Sequence, residues 1–211
     1  MANSNLKVKM MVMANDSTQL SIQISANLAH ITEQINQAAH ACKRNPDLIK
    51  LLCVSKTKPV SHIVSAYQTG QRHFGENYVQ EAVDKIKDMS EYSDIVWHFI
   101  GPLQSNKSKF IAEYFSWLHS LDRIKIAKRL NEQRSAHQSP LNVCVQVNID
   151  DEQSKAGIAP NEVINFIEQL QTFTRLKCRG LMTIPKAGAS ETERKNSFEK
   201  MQALFTKCSQ T

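Results

Sequence analysis

The residue in this sequence best placed to do covalent chemistry is Lys56. It follows Ile49-Lys50-Leu51-Leu52-Cys53-Val54-Ser55, a compact apolar run that reads as a buried strand. In a strand, Lys56 shares a face with Leu52 and Val54. If that face looks into an apolar interior, desolvation favours the neutral amine. A neutral lysine amine attacks aldehydes to form imines, and Lys58, two residues on, adds a second cation that pushes the same way. A lysine just past a strand is more commonly a solvated surface residue, so position alone does not single it out.

Other polar residues fall where strands should end: Asn77, Gln104, Asp122, Asn148 and Thr183. Positioning them requires a regular framework, and the sequence supplies one. Leu20 to Cys42 carries apolar residues at helical spacing, and Asn45-Pro46 ends it. After the first strand, Ser61 to Tyr67 reads as a helix and Arg72 to Gly75 as a strand. Asn77 can cap the following helix with Gln80 reaching back. Further strands are expected at Ile95–Ile100, Phe115–Ser120, Leu141–Ile149 and Arg175–Ile184. The helices between them start at Ser105 or Asn106, after Asp122 as cap, and near Pro160; a last one starts near Glu191.

A leading helix followed by about six strand–helix units requires parallel strands and helical crossovers. The fold class is α/β. A (β/α) barrel and an open doubly wound sheet both fit, but no Gly-x-Gly-x-x-Gly follows the first strand to support a dinucleotide-binding sheet. A barrel places its ligand site on the face where the polar strand-end residues cluster.

Bulk properties narrow the class. Hydrophobic residues at 41% and charged residues at 22% indicate a globular chain. No apolar run approaches a membrane span, and Met10 to Met13 is too short for a signal-peptide core. A cytoplasmic location is expected. The net charge of +6 is spread over helices with no nucleic-acid motif, which fits a small anionic ligand better than a nucleic acid. The five cysteines lack metal-site spacing and are expected reduced and mostly buried. Met13-Ala14-Asn15 repeats Met1-Ala2-Asn3, so either Met13 is the true start or 1–16 is a short disordered extension.

Six blocks in order carry a resemblance. They are Leu51-Leu52-Cys53-Val54-Ser55-Lys56-Thr57-Lys58-Pro59, Phe74-Gly75-Glu76-Asn77-Tyr78-Val79-Gln80-Glu81, and Trp97-His98-Phe99-Ile100-Gly101-Pro102-Leu103-Gln104-Ser105-Asn106-Lys107, then Gln146-Val147-Asn148-Ile149, Lys155-Ala156-Gly157-Ile158 and Arg179-Gly180-Leu181-Met182-Thr183-Ile184-Pro185. With them the chain resembles the pyridoxal phosphate homeostasis protein family from about Ser17 onward. The resemblance implies a (β/α)8 TIM-barrel like the alanine racemase N-terminal domain. It implies pyridoxal 5'-phosphate as cofactor, held as a Schiff base on Lys56 without evident catalysis. The domain expected is 17–211, acting as a monomer in cofactor homeostasis, with pyridoxal phosphate-dependent apo-enzymes as candidate recipients.

Asn77, His98 and Met182 carry over as cofactor-binding positions. Each has a plainer reading: Asn77 as a helix cap, His98 packed within its strand, Met182 in the core. Gln104, Ser105 and Asn106 form a polar loop that faces either ligand or a partner. The sequence departs from the family pattern after the sixth unit. The later Ser-x-Gly-Met-Ser-x-Asp block and the closing arginine–isoleucine–glycine block, which the resemblance assigns to the phosphate, are absent, so a truncated barrel is expected. The competing readings are a racemase-like enzyme and a shortened copy with impaired cofactor binding. A racemase needs a second acid–base group, and no β-rich domain follows to supply it.

Overall fold

In the computed structural model, residues 2–152 and 155–210 are described, with side chains from residue 18 onward. The chain divides into two compact units, Met1–Phe74 with Asp88–Ile95, and Gly75–Lys87 with Val96–Thr211. Among the described residues six strands lie in the sheet in chain order: β1 Cys53–Val54, β2 His73–Glu76, β3 Val96–Phe99, β4 Trp117–Leu121, β5 Leu141–Gln146 and β6 Leu176–Met182. The pairings β3–β4, β4–β5 and β5–β6 are parallel. Consecutive parallel neighbours joined by helices are the winding expected of a (β/α) barrel.

In the first unit, α1 (Ala2–Ala41) leads into a short 3-10 turn at Pro46–Leu48, which Asn45 caps by accepting from the Asp47 amide at 3.0 Å. The expected 20–42 helix is part of α1. The expected extension 1–16 falls where side chains lie outside the described residues. Helix α2 (Val60–Gln68) packs against α1, and Ser21 and Ser65 share a hydrogen bond at 2.9 Å.

The second unit holds α3 (Val79–Asp88), α4 (Ser108–Tyr114), α5 (Ile124–Gln133), α6 (Val163–Leu170) and α7 (Glu191–Cys208). Spacing of apolar residues sets the buried faces: Ile126, Ala127 and Leu130 on α5, and Val163, Phe166 and Leu170 on α6. Val163 packs with Val147 and Ile149, and Leu118, Leu121, Leu141, Val143 and Val145 are fully buried on the strands. Ser190 caps α7: its Oγ accepts from the Glu193 amide, while Glu193 Oε2 accepts from the Ser190 amide at 2.7 Å.

Three sequence expectations are corrected. Asp122 does not cap α5; the cap position is Arg123, without a side-chain bond, and Asp122 instead accepts from Arg123 Nε at 2.9 Å. Asn77 does not cap α3, since its Oδ1 is buried without a hydrogen-bond partner. The cysteines are all free, but only Cys144 is fully buried, three are half-buried and Cys42 is exposed. Burial pushes the Cys144 thiol up to about 12, so this group is a neutral core side chain at ordinary pH.

Candidate functional site

In the first unit, β1 runs straight into a tight turn. The Lys58 amide donates to the Ser55 carbonyl at 3.0 Å, which places Lys56 and Thr57 at the two central positions. Thr57 has φ 61, in the left-handed region that a β-branched residue seldom adopts. The turn therefore presents Lys56 at its tip. Lys56 is exposed, and no described residue hydrogen-bonds to or ion-pairs with its side chain. The apolar surround expected from Leu52 and Val54 is not formed: Val54 is 50% exposed. A two-residue strand end is too short to roof the amine. Lys58 takes a different route and lines a cavity of about 210 Å³ together with Asn27, Cys53, Ser55 and His62.

In the second unit, the ends of β2 and β3 are fixed by buried groups. Glu76, fully buried, accepts from Lys85 Nζ at 2.9 Å, and Lys85 also reaches Glu81 at 2.6 Å. The Ile100 amide donates to the Glu76 carbonyl at 2.9 Å. Gly101 lies so close to the Asn77 backbone that a Cβ on it would sit 2.3 Å from the Asn77 carbonyl oxygen. Only glycine permits that approach. Ser120 Oγ holds the Gly101 carbonyl from the next strand at 2.5 Å.

This frame sets Asn77 in the wall of a polar cavity of about 280 Å³, with Gln146, Asn148 and Lys155 among its lining. Gln146 Nε2 donates to the Ala156 carbonyl at 3.1 Å, and Asn148 exchanges hydrogen bonds with the Glu152 backbone. Lys155 Nζ donates to the Pro185 carbonyl at 2.8 Å and pairs with Glu152 at 2.7 Å. Gly157, at φ 120, lets this loop pass against the Asn148 backbone.

His98 takes the packed course. It is buried, with Nδ1 2.9 Å from His119 Nε2, and its ring stacks on Trp117 at 5.4 Å. Burial holds the His119 imidazole below its ordinary range. Met182 ends β6 half-buried, and its carbonyl accepts from the Val147 amide at 2.8 Å. Thr183 Oγ1 donates to the Val147 carbonyl at 2.9 Å. Gln104 is exposed on the other side of Asn77. Of the sequence candidates in this unit, Asn77 and Asn148 share one cavity, while His98 and Met182 are not in its lining. Sequence reasoning passed over Gln146 and Lys155 as site residues. A buried glutamine at the end of an apolar strand was the available signal.

The strand order, crossovers and strand-end cavity define an α/β domain of the alanine racemase barrel type, and the family model of the alanine racemase N-terminal domain matches residues 26–211. The chain belongs to the pyridoxal phosphate homeostasis protein family. It is 50% identical to the protein of that name from Haemophilus influenzae, over 90% of this chain and 80% of the relative. It is 52% identical to the one from Escherichia coli K12, over 83% and 75%. Among solved structures, PipY of Synechococcus elongatus, described with PLP bound, matches with 32% identity and a TM-score of 0.72, covering 83% of this chain and 82% of PipY. Alanine racemase from E. faecalis, at 15% identity and a TM-score of 0.60 over 82% of this chain and 48% of that one, shares the fold.

Proposed function

We propose that this protein binds pyridoxal 5'-phosphate covalently through Lys56 and serves intracellular homeostasis of the cofactor without turning over a substrate. The observation that carries the reading is the Lys56 amine, uncommitted to any described residue and presented at the tip of the Ser55–Lys58 turn. The PLP-bound relative and the names of the close relatives support the same ligand. When bound, the cofactor supplies an aldehyde that condenses with an amine, which here serves as a storage bond.

We further infer Asn77, His98 and Met182, all in the second unit, as cofactor-binding positions. Asn77 offers a carboxamide whose buried Oδ1 has no partner, and buried polar atoms of that kind are ordinarily satisfied. Met182 offers an apolar thioether at the end of β6. We further infer 17–211 as the cofactor-binding domain, a cytoplasmic monomer as the working form, and pyridoxal phosphate-dependent apo-enzymes as recipients. No helix among the described residues is long and apolar enough to cross a membrane.

The test is borohydride reduction of the protein after incubation with pyridoxal phosphate, followed by peptide mapping. The expected result is a pyridoxyl group on Lys56, lost in Lys56→Ala and kept in Lys58→Ala. Equal labelling of Lys56→Ala would sink the proposal. Racemisation of alanine by the purified chain would instead favour an enzyme.

A further inference from the structure

A second cavity in the Gly75–Lys87 and Val96–Thr211 unit, of about 550 Å³, opens on the other side of Asn77. Its lining includes Tyr78, Gln104, Lys107 and Arg123, and no carboxylate is in it. Lys107 is half-buried, and its ammonium has no carboxylate or hydrogen-bond partner among the described residues; it lies over the Phe110 ring at 5.8 Å. Arg123 spends Nε on Asp122 at 2.9 Å and Nη2 on the Leu103 carbonyl at 2.7 Å, which leaves Nη1 uncommitted. Asp122 thus neutralises part of one cation and none of the other.

Two further features belong to the same wall. The first turn of the ten-residue helix α3 begins in this wall at Val79 and Gln80, and the first amides of a helix have no intrahelical acceptor. Tyr78, 55% exposed, stands at the rim over a floor containing Phe99 and Leu103, both buried.

We propose that this cavity is an anion site for a phosphate dianion, free or as a small phosphomonoester, held by Lys107 and Arg123. Two cations with spare donors suit a doubly charged oxyanion, because each charge-assisted bond is about twice as strong as a neutral one. The site uses no residue of the first unit, and neither of its cations is a cofactor candidate, so loss of Lys56 leaves it intact.

The test titrates the full chain with inorganic phosphate and, separately, with glycerol 3-phosphate, by calorimetry at constant ionic strength. Saturable binding is expected, retained in Lys56→Ala and weakened at least tenfold in Lys107→Gln and in Arg123→Gln. Tighter binding of the monoester than of inorganic phosphate would identify the esterified form, and the reverse the free ion. Heat that vanishes on matching the ionic strength would overturn the proposal. So would affinity unchanged in Lys107→Gln, or affinity lost in Lys56→Ala. Because Arg123→Gln also releases Asp122, its thermal midpoint is measured alongside; Lys107→Gln, with no bond to break, decides if that variant is unstable.

Discussion

The end of β1 and the ends of β2 and β3 are built on opposite principles. Around Lys56 there is a two-residue strand, an exposed Val54 and a tight turn strained at Thr57. Around Asn77 there is a fully buried Glu76, a buried Lys85 bridging two carboxylates, and a glycine pressed against the backbone. A nucleophile needs access to its electrophile, so an exposed turn suits Lys56. A group that must hold a fixed hydrogen-bonding geometry needs a frame that cannot relax, and buried ion pairs provide one at a cost in desolvation.

The contrast can be broken at each end. The largest effect is expected from Lys56→Ala, which should abolish the reducible adduct while leaving the unfolding free energy within about 0.5 kcal/mol of the parent, as surface changes do. Lys85→Ala should do the reverse. Leaving Glu76 buried without its cation costs about 3–5 kcal/mol, read as a lower denaturation midpoint, with Lys56 still labelled in the folded fraction. If Lys85→Ala were neutral, the β2 frame would not depend on the ion pair.

Gly101→Ala comes next. The added Cβ meets backbone, not a movable side chain, and overpacking of this kind costs about 1–3 kcal/mol. Unfolding by urea measures it, and a cost near zero would mean that the Asn77 segment gives way easily. The smallest effect on stability is expected from Thr57→Gly. Release of the left-handed strain is worth about 1 kcal/mol, partly cancelled by the backbone entropy of glycine, so a small net gain should appear in the same unfolding experiment.

A pH series sharpens the buried side. His119 is held below its ordinary value of 6.5 by burial. The unfolded chain therefore takes up the proton first as the pH falls, and stability present above about 6.5 is lost below it. The thermal midpoint should drop between pH 7 and pH 5.5, and His119→Gln should flatten that drop. An unchanged slope in the variant would place the acid sensitivity elsewhere.

Much of this was legible in the residues. The strand at Leu141 was plain because β5 is buried on both faces and reads as a continuous apolar run. Pro160 and Glu191 marked helix starts because the chemistry of a first turn is local. Boundaries were less legible: Ile49 to Leu52 reads as strand by composition, yet β1 pairs only at Cys53–Val54, since pairing depends on a neighbour that the local sequence does not contain. The polar roles were least legible. Asn77 looked like a cap and Asp122 looked like another, and neither is. Arg134, which closes the ends of α4 and the next loop through the carbonyls of Ala112, Phe115 and Ser139, gave no sequence signal at all.

The sequence alone determined the alternation of strands and helices, the family, and the lysine at the end of the first strand, because each is written in local periodicity or in contiguous blocks. Only the tertiary structure decided that Lys56 stands exposed on a strained turn, that Asn77 keeps an unsatisfied buried oxygen, that His98 is spoken for by His119, and that Lys107 and Arg123 line one cavity. The last two outcomes bring together groups 21 and 16 positions apart in the chain, and burial and pairing are properties of that meeting, not of any one residue.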